Sequence, residues 1–166
     1  NPGGRMKKNN SGDPKATRKS AFMTGYDIEV NADIAAQNAF DRMKQVGFGA
    51  LTEQEKTVAT VWLFAGKVAN SGFHGFFSSD AGDLAFYAPT ALKNIGAFKM
   101  AKIAAKANDL FGPKGPPKDR GARRKLWRSF PGDVTGKFEA LESSFYKCAD
   151  DLDELLEKYV KKAGAS

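Results

Sequence analysis

The stretch from Asn70 to Asp83 constrains the fold of this chain more than any other feature. It places three phenylalanines and three glycines between two patterns that are typical of helices. A loop in water would not carry so many apolar side chains, so the rings either fill a core or line a groove. Gly72 and Gly82 allow a positive φ angle or a close approach where the chain reverses. The sequence therefore predicts a helix-breaking turn with a large apolar content.

Length and composition are those of one globular domain, because 166 residues of which 42% are hydrophobic suffice for a single core. The longest uncharged apolar stretch, residues 68–79, is too short and too interrupted to span a bilayer, and no signal-peptide pattern opens the chain. The one cysteine, Cys148, excludes an internal disulfide and suits a reducing compartment. We therefore expect a cytoplasmic protein without a membrane span.

The net charge of +7 is concentrated in two segments. Residues 1–24 carry six basic side chains against one acidic, and residues 113–128 carry seven against one. The rest of the chain is mildly acidic, so the charge is segregated along the sequence. Residues 1–24 also lack any apolar period and are rich in Gly, Asn, Lys and Ser. They predict a disordered basic arm in front of a helical domain over residues 25–166.

Local signals mark the first helices. Asn31 can cap a helix that runs to Val46, and Thr52 with Glu55 has the spacing of a capping box, after which a long helix should run to Asn70–Gly72. The apolar side chains expected to face inward on the first helix are Ile34, Ala35, Phe40 and Met43.

Similar signals continue toward the carboxyl end. Pro89 suits a first helical position, Asp119 can cap a basic helix, and residues 131–133 predict a turn. The further helices predicted run over residues 89–94, 98–111, 119–128 and 136–163, the last with a bend near 148–150. The alternation at residues 26–30 is too short to found a sheet. We predict an all-α fold, a single compact multi-helix domain.

The order of these signals resembles a bacterial domain-of-unknown-function family that includes a DNA mimic protein. The resemblance covers residues 30–162, and Ser71 and Gly75 depart from the usual pattern of the turn. The segments that carry it are Leu51–Glu55, the Trp62 helix, Asn70–Phe77, Gly82–Leu84, Ile95–Ala97, Pro116–Arg120 and Phe145–Leu156.

The resemblance implies an all-helical domain, of which one type presents carboxylates to a transcription factor in place of DNA phosphates. Mimicry needs carboxylates without interspersed cations, because the whole surface sets the field that a partner meets. The acidic face that could serve consists of Glu139, Glu142, Asp150, Asp151, Asp153, Glu154 and Glu157. Four lysines dilute it, and a chain of net charge +7 makes a poor general DNA mimic.

Catalytic and metal-binding patterns are weak in this sequence. His74 is the single histidine, and its candidate triad partners crowd into one turn. A single histidine without a cysteine pair offers no transition-metal site by its spacing, and no phosphate-binding loop is present. We therefore expect no enzyme, no cofactor and no metal.

Two kinds of partner stay open. The favoured one is a protein that docks on aromatic anchors beside the Trp62 helix. The predicted partner-binding residues are Trp62, Asn70, Phe73, His74, Phe76 and Phe77. If the three phenylalanine rings are core, this groove does not exist.

The alternative is a nucleic-acid-binding protein that uses the basic arm and the basic helix. Arginines four residues apart share one helix face, and Trp127 is near for stacking. The residues predicted to contact the anion are Arg120, Arg123, Arg124, Lys125 and Arg128. These cations could instead pair with the acidic helix at the carboxyl end of the chain.

Overall fold

A computed structural model describes residues 31–165, which form seven α-helices, two 3-10 helices and no strand. The predicted all-α fold is confirmed for these residues. The arm over residues 1–24 and the alternation at 26–30 lie outside the described residues. The α-helices are α1 Ala32–Val46, α2 Glu53–Ser78, α3 Ala88–Asn94, α4 Phe98–Asp109, α5 Arg120–Ser129, α6 Gly132–Lys147 and α7 Leu152–Ala165, and the 3-10 helices are Phe48–Ala50 and Asp80–Leu84.

The predicted caps are present. The Asn31 side chain accepts hydrogen bonds from two backbone N–H groups in the first turn of α1, at 2.7 and 3.2 Å. Thr52 and Glu55 form the capping box at the start of α2, with bonds of 2.8 and 3.1 Å. The Thr52 N–H that donates to the carboxylate is the main cause that lowers the pKa of Glu55. Asp119 accepts a backbone bond of 2.8 Å at the start of α5.

Helix α2 is the centre of the fold. It packs against α1, α3, α5, α6 and α7, while α4 packs on α3 and α6. Phe64 and Val68 on α2 are fully buried, and Val61 is 1% exposed. A 26-residue helix with buried residues along its whole length serves as the axis around which the shorter helices assemble.

The predicted end of the first helical stretch at Asn70–Gly72 is confirmed, because Gly72 has non-helical backbone angles. The sequence did not predict that a second helical stretch follows at once. Helix α2 continues to Ser78 through a kink at Gly72, where φ is 65° and ψ is −173°, a conformation that is essentially restricted to glycine. The N–H of Phe73 donates to the Glu142 carboxylate of α6 at 3.0 Å. A distant side chain thus caps the second part of α2, which is why the chain resumes a helix instead of turning away.

The phenylalanine rings beyond the kink belong to the core. Phe73, Phe76 and Phe77 are 1 to 2% exposed. Phe138 of α6 lies between the ring of Phe77, at a centroid distance of 5.9 Å, and the ring of Trp127, at 4.4 Å. The apolar content of the stretch from Asn70 to Asp83 is therefore explained by packing of α2 against α5 and α6.

Small side chains form the buried face of α1, so the predicted face is wrong for Ile34, while Ala35, Phe40 and Met43 are half-buried. The buried residues are Ala32, Ala36 and Ala39, whereas Ile34 is 60% exposed. Alanine lets the axes of α1 and α2 approach closely, which a face of larger residues would prevent.

Other boundaries also differ from expectation. Residues 131–133 are not a separate turn, because Pro131 is the N-cap residue of α6 and the helix begins at Gly132. Helix α4 ends at Asp109, two residues before Phe111. The bend predicted near residues 148–150 is a complete break between α6 and α7. This break places a short connection beside α2.

The variant Gly72→Ala should lose at least about 1 kcal/mol of unfolding free energy, because an alanine at this φ is strained. Its Cβ would also lie 2.7 to 2.9 Å from the Glu142 carboxylate and would disturb the bond to Phe73. Urea denaturation followed by circular dichroism measures the loss.

The control is Gly66→Ala in the same helix. No atom lies within 4 Å of the added Cβ, and the helix interior favours alanine by up to about 1 kcal/mol. We expect this variant to be as stable as the parent or more stable. Equal stability of Gly72→Ala and the parent would contradict the strain assigned to the kink.

Candidate functional site

A groove of about 720 Å³ runs along α2 and is closed by the break between α6 and α7. Its floor is the face of α2 that carries Trp62, Ala65, Gly66, Ala69 and Asn70. These positions are three or four residues apart, so they share one face of the helix. The two ends of the connection after α6, together with single residues from α1 and α4, form the walls. The groove is therefore assembled from four separate parts of the chain.

Three aromatic side chains line this groove, those of Trp62, Phe145 and Tyr146. Trp62 is partly exposed on the floor, and Tyr146 on the wall is 62% exposed. The Tyr146 hydroxyl donates to the Ala69 carbonyl at 2.8 Å, which fixes the end of α6 against α2. Rings that are both exposed and held in place make good anchors for a partner.

Carboxylates dominate the charge of the groove. Its lining contains Asp33 at the start of α1, Asp150 and Asp151 in the connection, and Asp153 at the start of α7, against the one cation Lys67. A smaller cavity of about 290 Å³ shares Asp33, Trp62 and Asp153, so these two carboxylates lie at the Trp62 end. The groove has the charge that attracts a cationic ligand.

Only part of this negative charge is free. Asp150 accepts a bond of 2.9 Å from the backbone N–H of Met100, at the first turn of α4, and Asp151 caps α7 with a bond of 3.1 Å. Asp33 and Asp153 are exposed and accept no side-chain hydrogen bond from the described residues. These two are the carboxylates that an incoming cation can engage at least cost.

The acidic face expected for DNA mimicry is largely engaged in internal bonds. Glu142 caps the second part of α2, Asp150 caps α4, and both oxygens of Glu157 accept from the Ala32 N–H of α1 at 3.0 and 3.1 Å. Glu154 pairs with a lysine one turn away at 3.2 Å. The carboxylates that resemble a surface array in the sequence mainly satisfy the ends of other helices.

The basic helix α5 is anchored by a fully buried arginine. Arg123 uses all five of its N–H donors, and its Nη2 lies 2.6 Å from the Asp83 carboxylate. The four carbonyl groups that accept its other bonds, at 2.7 to 3.0 Å, belong to Phe77, Ser79, Pro117 and Lys118. The prediction that Arg123 contacts nucleic acid is wrong, because the side chain is 0% exposed and has no donor left.

Two more cations of α5 also bind within the domain. Arg120 pairs with Asp83 at 3.1 Å, and the Arg124 Nε donates to the Ser78 carbonyl at 2.8 Å. The pairing is thus with the end of α2 and the following 3-10 helix, not with the acidic carboxyl-terminal helix. Lys125 and Arg128 are exposed and have no ionic partner among residues 31–165.

The predicted partner-binding residues divide into three groups. Trp62 and Asn70 line the groove. His74 is exposed outside it and lies against Trp127, with ring centroids 5.1 Å apart. The prediction is wrong for Phe73, Phe76 and Phe77, because the kinked helix turns these rings into the core.

Sequence reasoning missed the wall and the charged end of the groove. Asp33 and Asp153 each lie in the first turn of a helix, where an acidic residue is ordinary and signals no site. Tyr146 stands out in the sequence only as part of the range Phe145–Leu156 that carries the family resemblance. The acidic residues after Cys148 are the sequence signal for the charged wall. The sequence does not indicate that they lie beside α2.

No group of three His, Cys, Asp or Glu side chains in residues 31–165 could hold a metal ion. Within the same residues, no helix is long and apolar enough to cross a membrane.

The fold and the groove define a class: an all-α protein built on one central helix, with a preformed acidic binding groove. A family model described as DMP19-like protein matches residues 49–163, and the chain belongs to this family of DNA mimic protein 19-like domains. The match includes every groove residue except Asp33. Comparisons with curated proteins and with solved structures gave no match.

The variant Arg123→Met should lose about 3 kcal/mol or more of stability, because it leaves four carbonyl groups without their donor and removes one of the two arginine partners of Asp83. Arg128→Met on the same helix is the control, since its side chain is exposed and the change should stay within about 0.5 kcal/mol. Chemical denaturation of both variants measures the difference. Similar stabilities would show that Arg123 does not hold α5.

Proposed function

We propose that this chain is a non-enzymatic binding protein that holds a positively charged segment of a DNA-binding protein in the groove along α2. The observation that carries the proposal is the lining of the groove, which contains four aspartates, one lysine and the partly exposed Trp62. The family supports the same class of partner, because a DNA mimic acts on proteins that bind DNA.

The electrostatics favour the groove over the remaining surface. The chain as a whole is positive, so a cationic partner is repelled at long range and is attracted where carboxylates cluster. Asp33 and Asp153 accept no side-chain hydrogen bond from residues 31–165, while Glu142 and Glu157 are engaged in capping. The groove therefore presents a local cluster of carboxylates to a partner. The surface as a whole is too basic to act as a DNA mimic.

Direct nucleic-acid binding is the alternative. Arg120, Arg123 and Arg124 make internal bonds, which leaves Lys125 and Arg128 as the freely available cations of α5. Two phosphate contacts from α5 release few counterions and by themselves support only weak binding at physiological salt. The alternative would therefore depend mainly on the basic arm over residues 1–24, which lies outside the described residues. The internal role of the three arginines therefore favours the protein-binding proposal.

Neutralisation of the groove tests the proposal. In a Trp127→Phe background, the fluorescence of Trp62 reports titration with an oligoarginine peptide. The double variant Asp33→Asn/Asp153→Asn should lower the affinity by about tenfold at low salt, since each exposed charge pair contributes up to about 1 kcal/mol.

The matched control is Asp109→Asn/Glu139→Gln. It changes the net charge by the same amount at exposed positions outside the groove. We expect its affinity to stay within about twofold of the parent, because charges beyond one Debye length are screened. An equal loss in both double variants would show that the peptide responds to net charge and not to the groove.

Charge reversal on α5 separates the two functions. Lys125→Glu/Arg128→Glu should retain the affinity for oligoarginine, because neither residue lines the groove. Arg120 and Arg124 are left unchanged, since their substitution would also release α5 from α2. Tight, salt-sensitive binding of duplex DNA by the parent, lost in this variant, would favour the nucleic-acid alternative.

A further inference from the structure

We infer that the occupant of the groove is an amphipathic α-helix that places an arginine over Trp62, between Asp33 and Asp153. This inference rests on the proposed function and specifies the shape and the anchor residue of the partner. It follows from the floor of the groove, from the backbone groups that line it and from the charges at its Trp62 end.

No element of residues 31–165 covers the floor, which is a face of helix α2. Gly66, Ala69 and Asn70 are exposed, and nothing lies within 4 Å of a Cβ built on Gly66. From Trp62 to Asn70 the floor is about 12 Å long, slightly more than two helical turns. Small residues at these positions allow a second helix axis to approach to about 8 Å, the close limit of helix packing.

The backbone of the floor excludes an extended occupant. A strand satisfies its own N–H and C=O groups by pairing with an edge strand, and residues 31–165 contain no strand. Helix α2 bonds its own backbone internally, and its Ala69 carbonyl also accepts from Tyr146. An extended segment would bury unpaired backbone groups on this floor, whereas a helix arrives with its backbone groups paired.

The Trp62 end of the groove suits arginine better than lysine. Asp33, Trp62 and Asp153 line the same small cavity, and both carboxylates are free of side-chain bonds from the described residues. A guanidinium can stack flat on an indole ring while its N–H groups reach two carboxylates. The ammonium group of lysine has no such planar set of N–H donors. The geometry therefore assigns the anchor to arginine.

Three peptides of roughly 18 residues, a length at which an isolated helix can form, test the inference. The first is an alanine-based helix with a leucine stripe and two arginines four residues apart. The second has the same composition except for two central prolines, and the third has lysines in place of the arginines. Fluorescence anisotropy of a label on each peptide measures binding to the full chain.

We expect the arginine helix to bind at least about tenfold more tightly than the proline peptide and about threefold more tightly than the lysine peptide. The variant Gly66→Phe should abolish binding, because its ring fills the open floor. The matched control is Gly136→Phe, which adds the same ring at an exposed helix position outside the groove and should bind like the parent. Thermal unfolding of both variants confirms that they are folded.

The outcomes separate a failure of this inference from a failure of the proposed function on which it rests. Equal binding of the helical and proline peptides, with loss in Asp33→Asn/Asp153→Asn, would overturn the helical occupant and leave the groove as a site for basic segments. Equal binding of the arginine and lysine peptides would overturn the arginine anchor. Failure of all three peptides, together with failure of oligoarginine, would overturn both the inference and the proposed function. Binding that persists in Gly66→Phe would place the occupant elsewhere.

Discussion

The buried guanidinium of Arg123 is the interaction on which the arrangement of the helices depends. Removing a charged group from water costs several kcal/mol, and the cost is offset only where every donor finds an acceptor. Arg123 meets that condition, since five bonds of 2.6 to 3.0 Å join α5 to the end of α2, to the following 3-10 helix and to the linker before α5. Gly82 permits this packing, because a Cβ there would lie 2.7 Å from the Phe76 carbonyl and 3.0 Å from Arg123.

At other helix ends, carboxylates likewise form hydrogen bonds within the domain. Glu142, Asp150 and Glu157 each satisfy backbone N–H groups of a helix far away in the sequence. An N-terminal helix end carries partial positive charge, so each contact both caps a donor and balances a dipole. The charges available for recognition are those left after this internal use. For that reason neither the net charge of +7 nor the count of acidic residues indicates where a partner binds.

The sequence predicts features that depend on neighbours three or four residues away. Asn31, the box of Thr52 and Glu55, and Asp119 were identified because a cap involves only its own first turn. The continuation of α2 beyond Gly72 could not be read in this way, since the cap that restarts the helix comes from Glu142. Only two groove residues, Trp62 and Asn70, could be predicted from the sequence, because both lie on α2. The walls come from other segments that only the tertiary fold brings beside α2.

The kink at Gly72 links the groove to the core. Before the kink, α2 exposes a face of small residues and Trp62 to the groove; after it, the same helix turns Phe73 and its neighbours inward. Glu142 fixes the kink from α6, and α6 ends in the Tyr146 wall of the groove. One carboxylate therefore sets the bend of α2 and, through α6, the position of the wall that a bound helix would meet.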